Sequence, residues 1–409
     1  MSATAAAASH GFIDDRLAKR NALLLAFAQA LGGASASIVI ATGSLIGSSL
    51  LGSDKSLATV PVSAFVLGTA IGTLPAGAIM RRFGRRTGFM GASAFGIFAA
   101  LLASFAVFRG NFPLFIVACG GSGFVGAFVQ QFRFAAADTA SDAFKPKAIS
   151  WVLAGGVLAG VVGPQTVIAT KDLFSPILFA GTYLAQAGLS LVALVLVAFI
   201  KIPTPVRAPG GTHGGRPIRT IMAQPRFIVA AACGICSYAL MSLVMTATPL
   251  AMIGCGLSST DAALGIQWHV LAMFGPSFFT GNLIARFGKE RIVSIGLALL
   301  GGCAIIALMG VELVHFWSAL ILLGLGWNFG FIGATAMLTD TYRSEERNMV
   351  QATNDFLVFG CVAFASFSSG ALLNHFGWAT VNWLVFPFVV LCVVLLGWLV
   401  FHEKKHAAV

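Results

Sequence analysis

Charged residues are scarce in this sequence. Asp, Glu, Lys and Arg together make up 10% of the 409 residues, whereas hydrophobic residues make up 58%. Because a soluble domain carries about 25% charged residues, this composition excludes a water-soluble globular protein. We therefore expect an integral membrane protein.

Short segments of alternating hydrophobicity, which are typical of a transmembrane β-barrel, are missing too. The apolar runs are instead about 20 residues or longer, the length at which a helix crosses a bilayer. They predict an all-α membrane protein with twelve transmembrane helices. The predicted spans are 20–46, 57–80, 87–109, 112–136, 147–170, 174–200, 226–253, 260–285, 291–313, 315–340, 348–374 and 377–401.

Cysteine is also scarce, and its count is odd. Most of the seven cysteines lie inside apolar runs, which excludes the disulfide framework of a small secreted protein. The sequence contains no Ser-His-Asp order, phosphate-binding glycine loop or His-Glu-x-x-His motif. We therefore expect neither an enzyme nor a bound organic cofactor.

Basic residues outnumber acidic residues, 25 to 14. In a membrane protein this excess reflects topology and does not imply a nucleic-acid partner. With a cytoplasmic N-terminus, all Lys and Arg residues except Lys55, Arg109 and Lys171 fall on the inner side. The positive-inside rule therefore predicts that both termini are cytoplasmic. The residues before 20 lack the features of a signal peptide and are expected to form a short inner tail.

The chain repeats itself at about half its length. Residues 77–86 read Gly-Ala-Ile-Met-Arg-Arg-Phe-Gly-Arg-Arg, and residues 281–290, 204 positions later, read Gly-Asn-Leu-Ile-Ala-Arg-Phe-Gly-Lys-Glu. Asp138-Thr139 likewise matches Asp340-Thr341, 202 positions later. The repeat indicates two related six-helix halves, the arrangement from which alternating-access carriers are built.

The longest polar interruption is rich in Pro, Gly and Arg and lies between the two copies. Such a composition is typical of a flexible linker. We predict an N-terminal half at 1–200, a cytoplasmic linker at 201–225 and a C-terminal half at 226–409.

The loop at 77–86 resembles the signature loop of the major facilitator superfamily, Gly-x-x-x-acid-Arg-x-Gly-Arg-Arg. The loop at 281–290 lies where that family repeats it. The resemblance covers the whole chain through its span count, linker and both loops, and it implies a carrier of the major facilitator fold. The sequence departs from the family because Arg81 and Ala285 replace the usual acidic residue.

Several charged residues lie near the predicted inner ends of the helices, where buried charges need partners. We predict that they form a gating or charge network, in which Arg133 pairs with Asp138 or Asp355. For the arginine cluster of the first loop, the alternative is plain anchoring on the inner side. The predicted network consists of Arg82, Arg85, Arg133, Asp138, Asp340 and Asp355.

Two short motifs lie on the seventh and eighth predicted spans. Met241-x-x-x-Met245 and His269-x-x-x-Met273 each place two donor side chains on one helix face. The short connection between these spans makes them antiparallel neighbours, with Met241 and Met273 near one depth and Met245 and His269 about 6 Å further out. Three thioethers and one imidazole are a soft, uncharged set that suits Cu(I). The alternative is that the methionines fill gaps in a helical core.

These motifs resemble those of the CcoA-like copper importers of the superfamily. The resemblance implies Cu(I) import across a bacterial inner membrane for cbb3-type cytochrome oxidase biogenesis. Copper would be the transported substrate, and a cytoplasmic copper acceptor and membrane lipids would be the partners. The metal ligands would be Met241, Met245, His269 and Met273.

Three cysteines of the same region predict a thiol relay for the metal. Cys255 lies at the outer end of the seventh span, and Cys233 and Cys236 lie about two turns on the inner side of Met241. The alternative is that they are small buried residues.

A second cargo stays open. A related branch of the superfamily is associated with riboflavin uptake, which requires aromatic stacking surfaces and several hydrogen-bonding groups. Gln267, Trp268, Trp327 and Asn328 are the candidates for these roles.

Overall fold

The computed structural model describes residues 15–141, 144–202, 215–343 and 346–407. Residues 1–14 of the predicted tail and 203–214 of the predicted linker therefore lie outside the described residues. The described part of the chain is helical and contains no strand. Its helices are α1 Asp15–Leu50, α2 Val60–Phe83, α3 Arg85–Phe108, α4 Phe112–Val129, α5 Phe132–Ala137, α6 Lys145–Thr170, α7 Ala180–Ala198, α8 Ile218–Met222, α9 Pro225–Gly254, α10 Ser259–Phe274, α11 Ser277–Phe287, α12 Lys289–Met309, α13 Leu313–Leu338, α14 Arg347–Trp383 and α15 Val385–Ala407.

The helices account for the predicted membrane spans. Within the described residues, ten helical segments are long and apolar enough to cross a membrane, and the last, Met349–Glu403, covers two predicted spans. The span predicted at 260–285 is present as the shorter helices α10 and α11. Helices satisfy their own backbone hydrogen bonds inside lipid. The predicted all-α membrane fold is confirmed.

The span predicted at 260–285 is interrupted in the structure. α10 ends at Phe274 and α11 begins at Ser277, with Gly275 and Pro276 between them. Pro276 has no backbone N–H, so the helical hydrogen-bond ladder is interrupted there. The eighth span is therefore a broken helix.

The backbone reproduces the sequence repeat at two glycines. Gly84 separates α2 from α3 with φ 82° and ψ 160°, and Gly288 separates α11 from α12 with φ 89° and ψ 155°. Residues with a Cβ rarely adopt this region. Both loops therefore turn in the same way, and both turns depend on glycine.

The described contacts divide the chain into two compact units. The first comprises Met1–Ile38 and Ile71–Arg207, and the second comprises Val39–Ala70 and Ala208–Val409. The six-helix halves at 1–200 and 226–409 stay a prediction.

In the first unit α3 packs against α4 and α7. Its buried core is rich in Ala and Phe, and the ring of Phe89 meets that of Phe132 edge-on at 4.7 Å. A Cβ at Gly155 would overlap the carbonyl group of Ala26. This small residue therefore lets α6 approach α1 closely, as is common between membrane helices.

In the second unit α9 packs against α13 and α14, and α13 also packs against α10 and α12. Close approach again depends on glycine. A Cβ at Gly330 would overlap the hydroxyl of Ser237 on α9, and a Cβ at Gly324 would lie 2.5 Å from the carbonyl oxygen of His269 on α10. α9 and α10, which carry the predicted metal ligands, therefore both pack closely against α13.

Candidate functional site

Aromatic side chains from four helices meet in the second unit. The ring of Tyr238 on α9 lies 5.4 Å from Trp327 and 5.0 Å from Phe331, both on α13, and the two α13 rings stack on each other at 5.3 Å. Phe359 on α14 lies 5.7 Å from Tyr238, and Phe274 on α10 lies 6.0 Å from Trp327. We call these five residues the aromatic cluster.

The aromatic cluster is only partly enclosed. Trp327 is buried, whereas Tyr238, Phe274, Phe331 and Phe359 are half-buried. The cluster thus presents aromatic surface that could stack on a planar solute.

The position of Asp355 indicates whether the half-buried side of the aromatic cluster faces water or lipid. Asp355 lies one turn before Phe359 on the same side of α14, is exposed, and interacts electrostatically with the hydroxyl of Tyr238. It is about 12 Å along the helix from Arg347, and a carboxylate at that depth faces water or polar groups, not lipid. The half-buried side of the aromatic cluster therefore belongs to a polar, water-accessible face of the second unit.

The side of α14 opposite Asp355 carries an exposed apolar residue. Phe364 is 73% exposed. Phe364 projects about 180° away from Asp355 and about 140° away from Phe359 around the helix. The aromatic cluster is thus distinct from the apolar outer surface of α14.

Two buried polar atoms beside the aromatic cluster have no hydrogen-bond partner in the described part of the chain. They are Nε1 of Trp327 and Oγ of Ser237. Buried polar groups are nearly always satisfied by protein, water or ligand. The indole N–H is therefore a donor available to a bound molecule.

The structure places the four predicted metal ligands on two helices and buries all of them. Met241 and Met245 lie on α9, and His269 and Met273 lie on α10. Nδ1 of His269 is 2.9 Å from the carbonyl oxygen of Leu320 on α13, while Nε2 is buried without a partner in the described residues. His269 and Met273 on α10 thus both make hydrogen-bond contacts with α13, through Leu320 and Asn328. A site shared by all four donors stays a prediction.

The three cysteines of the predicted thiol relay lie in two separate places along α9. Cys255 is exposed at the end of α9, whereas Cys233 and Cys236 are buried and both hydrogen-bond with Cys392 on α15. Cys392 was missed because nothing in the sequence links α15 to α9. Among the described residues, no group of three or more His, Cys, Asp or Glu side chains has the arrangement of a metal site. The relay stays a prediction.

The residues predicted to form the gating network in the first unit include one ion pair. Asp138 accepts hydrogen bonds from Nε and Nη2 of Arg85, and burial raises the pKa of this carboxyl while Arg85 lowers it. Arg82 and Arg133 place their guanidinium groups over the rings of Phe83 and Phe134. The predicted pairing of Arg133 with Asp138 or Asp355 stays a prediction.

The second unit repeats this ion pair within a larger network. Asp340 contacts Lys289, the counterpart of Arg85 at an offset of 204 residues. Arg226 at the start of α9 binds Asp340 at 2.9 Å, Glu290 at 2.7 Å and Glu403 at 2.7 Å. Sequence reasoning missed Arg226, although its position at a helix start beside an inner loop was a signal.

A further buried ion pair was also missed. The side chain of Glu346, fully buried between α13 and α14, binds Arg216 near the end of the linker, with Nη2 at 2.8 Å. The hydrogen bonds from Arg216 and from the N–H of Arg343 hold the pKa of Glu346 well below its usual range. This contact fastens the end of the linker to the second unit.

The residues predicted to contact a flavin have different positions and contacts in the structure. Trp327 belongs to the aromatic cluster, whereas Trp268 is 41% exposed. Asn328 is fully buried, donates to the carbonyl of Met273 and to Ser277, and accepts from Thr280. Asn328 therefore ties together the break between α10 and α11.

Comparison with known proteins agrees with this architecture. Residues 22–329 and 230–409 match the model of the Major Facilitator Superfamily. The chain belongs to the major facilitator superfamily. It is therefore a multi-pass membrane transporter.

Three relatives are informative. The riboflavin transporter RfnT of Brucella anthropi is 52% identical over 382 residues, which cover 93% of this chain and 96% of that protein. The uncharacterized MFS-type transporters YddS and YdeG of Bacillus subtilis are 28% and 31% identical, over 89% and 87% of this chain and 88% and 85% of their own lengths.

These comparisons correct the predicted branch of the family. The superfamily resemblance is confirmed, but the relative at 52% identity is a riboflavin transporter and not a CcoA-like copper importer. The copper-importer resemblance rested on four side chains, and Met and His also occur as ordinary core residues of packed helices. Copper import and a role in cytochrome oxidase biogenesis thus lack support from the relatives.

Proposed function

We propose that this protein imports riboflavin, or a flavin very similar to it, across the bacterial inner membrane. The observation that carries the proposal is the 52% identity to a riboflavin transporter over 93% of the chain. A transporter of this family works by alternating access. Both termini are proposed to be cytoplasmic, as the distribution of Lys and Arg predicts.

The aromatic cluster supports the proposal. An isoalloxazine ring is planar and aromatic, and it has carbonyl and ring-nitrogen acceptors along one edge. Tyr238, Phe331 and Phe359 are half-buried and offer stacking surface. The unsatisfied N–H of Trp327 offers a donor, so the cluster provides both kinds of contact that a flavin needs.

The proposal is tested in a riboflavin auxotroph that grows only when riboflavin is abundant. Expression of this protein should restore growth on low riboflavin, and uptake of labelled riboflavin should saturate. Absence of rescue, with the protein demonstrably in the membrane, would contradict the proposal.

A matched pair of variants tests the role of the aromatic cluster. Phe359→Ala removes one stacking surface and should raise the KM for riboflavin about tenfold, since stacking on an aromatic side chain contributes roughly 1–3 kcal/mol. Phe364→Ala makes the same change five residues later, on an exposed side of α14 about 140° away from Phe359, and should leave uptake unchanged. Equal KM values in the two variants would exclude Phe359 from the binding site.

Copper is a second candidate, supported by one observation. The buried Nε2 of His269 has no partner in the described residues while Nδ1 is held by Leu320, so this nitrogen is available to a metal ion. If copper is the cargo, His269→Ala and Met241→Ala should each abolish accumulation of Cu(I) by cells, and Ag(I) should compete while Zn²⁺ should not. Riboflavin rescue that survives His269→Ala would separate the two functions.

A further inference from the structure

The second unit contains a cavity that the proposed function does not yet use. The cavity has a volume of about 450 Å³ and lies at the end of the unit where α9 terminates, remote from Arg226 at the start of that helix. It is lined by the last turn of α1, the loop after α1, the end of α9 and residues 370–378 of α14. Under the orientation predicted from the charges, this end faces the outside.

Part of the cavity lining is apolar. It is formed by Leu250, Leu373 and the ring of Trp378. The indole Nε1 donates to the carbonyl of Ala307 at 3.2 Å, and the ring packs against Phe316 at 5.3 Å. Trp378 is therefore held in one orientation and presents a preformed flat surface.

The backbone of α14 explains how this ring reaches the cavity. Gly377 has φ 79°, which breaks the helix immediately before Trp378. Asn374 precedes the break by one turn and also lines the cavity. The break therefore places an amide and an indole, both from α14, at the same opening.

Other lining residues of the cavity are polar. Ser48 provides a hydroxyl and Lys55 an exposed ammonium group. Within the described residues Lys55 has no ion-pair partner. The neighbouring carboxylate of Asp54 accepts a hydrogen bond from the N–H of Ser56. The ammonium of Lys55 is thus available to an acceptor or a negative charge in the cavity.

We infer that this cavity is a second binding site, in which a flavin is captured with its ring against Trp378 and its polar edge or phosphate toward Lys55 and Asn374. The inference rests on the proposed function. The volume lies within the range of about 300–1,000 Å³ that is usual for small-molecule sites. Lys55 suits both the carbonyl groups of riboflavin and the phosphate of flavin mononucleotide.

The thiol of Cys255 lines the same cavity and can report its occupancy. The described cysteines that are exposed are Cys255 and Cys361, so a Cys361→Ser background leaves one accessible thiol. Intact cells would be treated with a membrane-impermeant maleimide, with and without riboflavin. Riboflavin at ten times its dissociation constant should slow labelling of Cys255 about tenfold, as expected for simple competition.

Variants then assign the protection to this cavity. Lys55→Gln should weaken protection and raise the KM for uptake without changing the maximal rate. Lys171→Gln removes another of the three cations predicted to lie outside, in the first unit, and should do neither. If the phosphate is recognised, flavin mononucleotide should protect at lower concentration than riboflavin, and Lys55→Gln should abolish that difference.

Protection could also arise through a conformational change caused by binding at the aromatic cluster. In that case Phe359→Ala would abolish protection while Lys55→Gln would preserve it, and this result would overturn the inference. Unchanged labelling at flavin concentrations that saturate uptake would overturn it too, while leaving riboflavin transport intact. Conversely, protection without any riboflavin uptake would uphold the cavity and reject the proposed function.

Discussion

At the scale of single residues, Glu346 shows how a charge is accommodated beside membrane helices. Its carboxylate is fully buried and accepts hydrogen bonds from the N–H, Nε and Nη2 of Arg216 and from the N–H of Arg343. Nη2 of Arg216 also donates to the carbonyl of Thr341. A buried ion pair is favourable only when its remaining polar atoms are satisfied in this way.

Glu346→Gln should therefore lower the melting temperature of the purified transporter. The depressed pKa of Glu346 means that the folded state favours the carboxylate. This contribution is fully present above the unfolded pKa of about 4.3, and it is lost as the pH falls through the folded value. The difference in melting temperature should be constant from neutral pH to about pH 5 and should shrink in more acidic solution.

The control for this experiment is Glu312→Gln, which alters an exposed carboxylate before α13. It should leave the melting temperature nearly unchanged. A Glu346→Gln difference that grew on acidification would contradict the assigned sign.

Asn328 is the second residue whose role can be tested alone. Asn328→Leu keeps the approximate side-chain volume but removes the donor to the carbonyl of Met273. A buried carbonyl without a partner costs about 1–3 kcal/mol, so the variant should be destabilised by that amount in reversible unfolding. Thr280→Val removes one of the three hydrogen bonds of Asn328 and should have a smaller effect. Equal stability of wild type and Asn328→Leu would show that the break between α10 and α11 does not depend on this amide.

At the scale of helices and loops, features that depend on neighbouring residues could be predicted from the sequence, whereas contacts between distant helices could not. The positions of Gly84 and Gly288 follow from a repeat that is visible in the sequence. The break at Pro276 was not predicted, although the chemistry of proline accounts for it. The sequence singled out Trp327 as a candidate flavin contact but missed Tyr238 and Phe359. These three side chains come from three different helices, and no spacing rule brings them together.

The requirement for glycine in the turn between α2 and α3 can be tested by comparing Gly84 with Gly91, which lies nearby in α3. Gly84→Ala places a Cβ on a residue with φ 82°, and such strain costs of order 1–3 kcal/mol. Gly91→Ala lies within α3, where a Cβ would meet open space, and it should be neutral or stabilising by up to about 1 kcal/mol. Thermal melts should therefore show a lower midpoint for Gly84→Ala and an unchanged or higher midpoint for Gly91→Ala. Equal shifts would mean that the loop after α2 tolerates a side chain.

At the scale of the whole molecule, the two cargo predictions, copper and riboflavin, depend on very different lengths of sequence. Composition, span count and repeat are properties of the entire chain, and together with the resemblance of the loops at 77–86 and 281–290 to the family's signature loop they led to the correct family. The copper prediction depended on Met241, Met245, His269 and Met273, whereas the similarity to a riboflavin transporter extends over 382 residues. A motif of four core-compatible residues carries little information about cargo until their donor atoms are shown to converge on one ion.

The orientation in the membrane gives the last prediction. All Lys and Arg residues except Lys55, Arg109 and Lys171 are predicted to lie inside, and such an asymmetry sets topology because basic loops resist translocation. In a cysteine-free background, Arg109→Cys should react with a membrane-impermeant maleimide in intact cells. Lys147→Cys and Arg219→Cys should react only after the membrane is permeabilised, which also controls for the reactivity of each thiol. The reversed pattern would place the cavity beside Lys55 in the cytoplasm, where it could release a flavin but could not capture one.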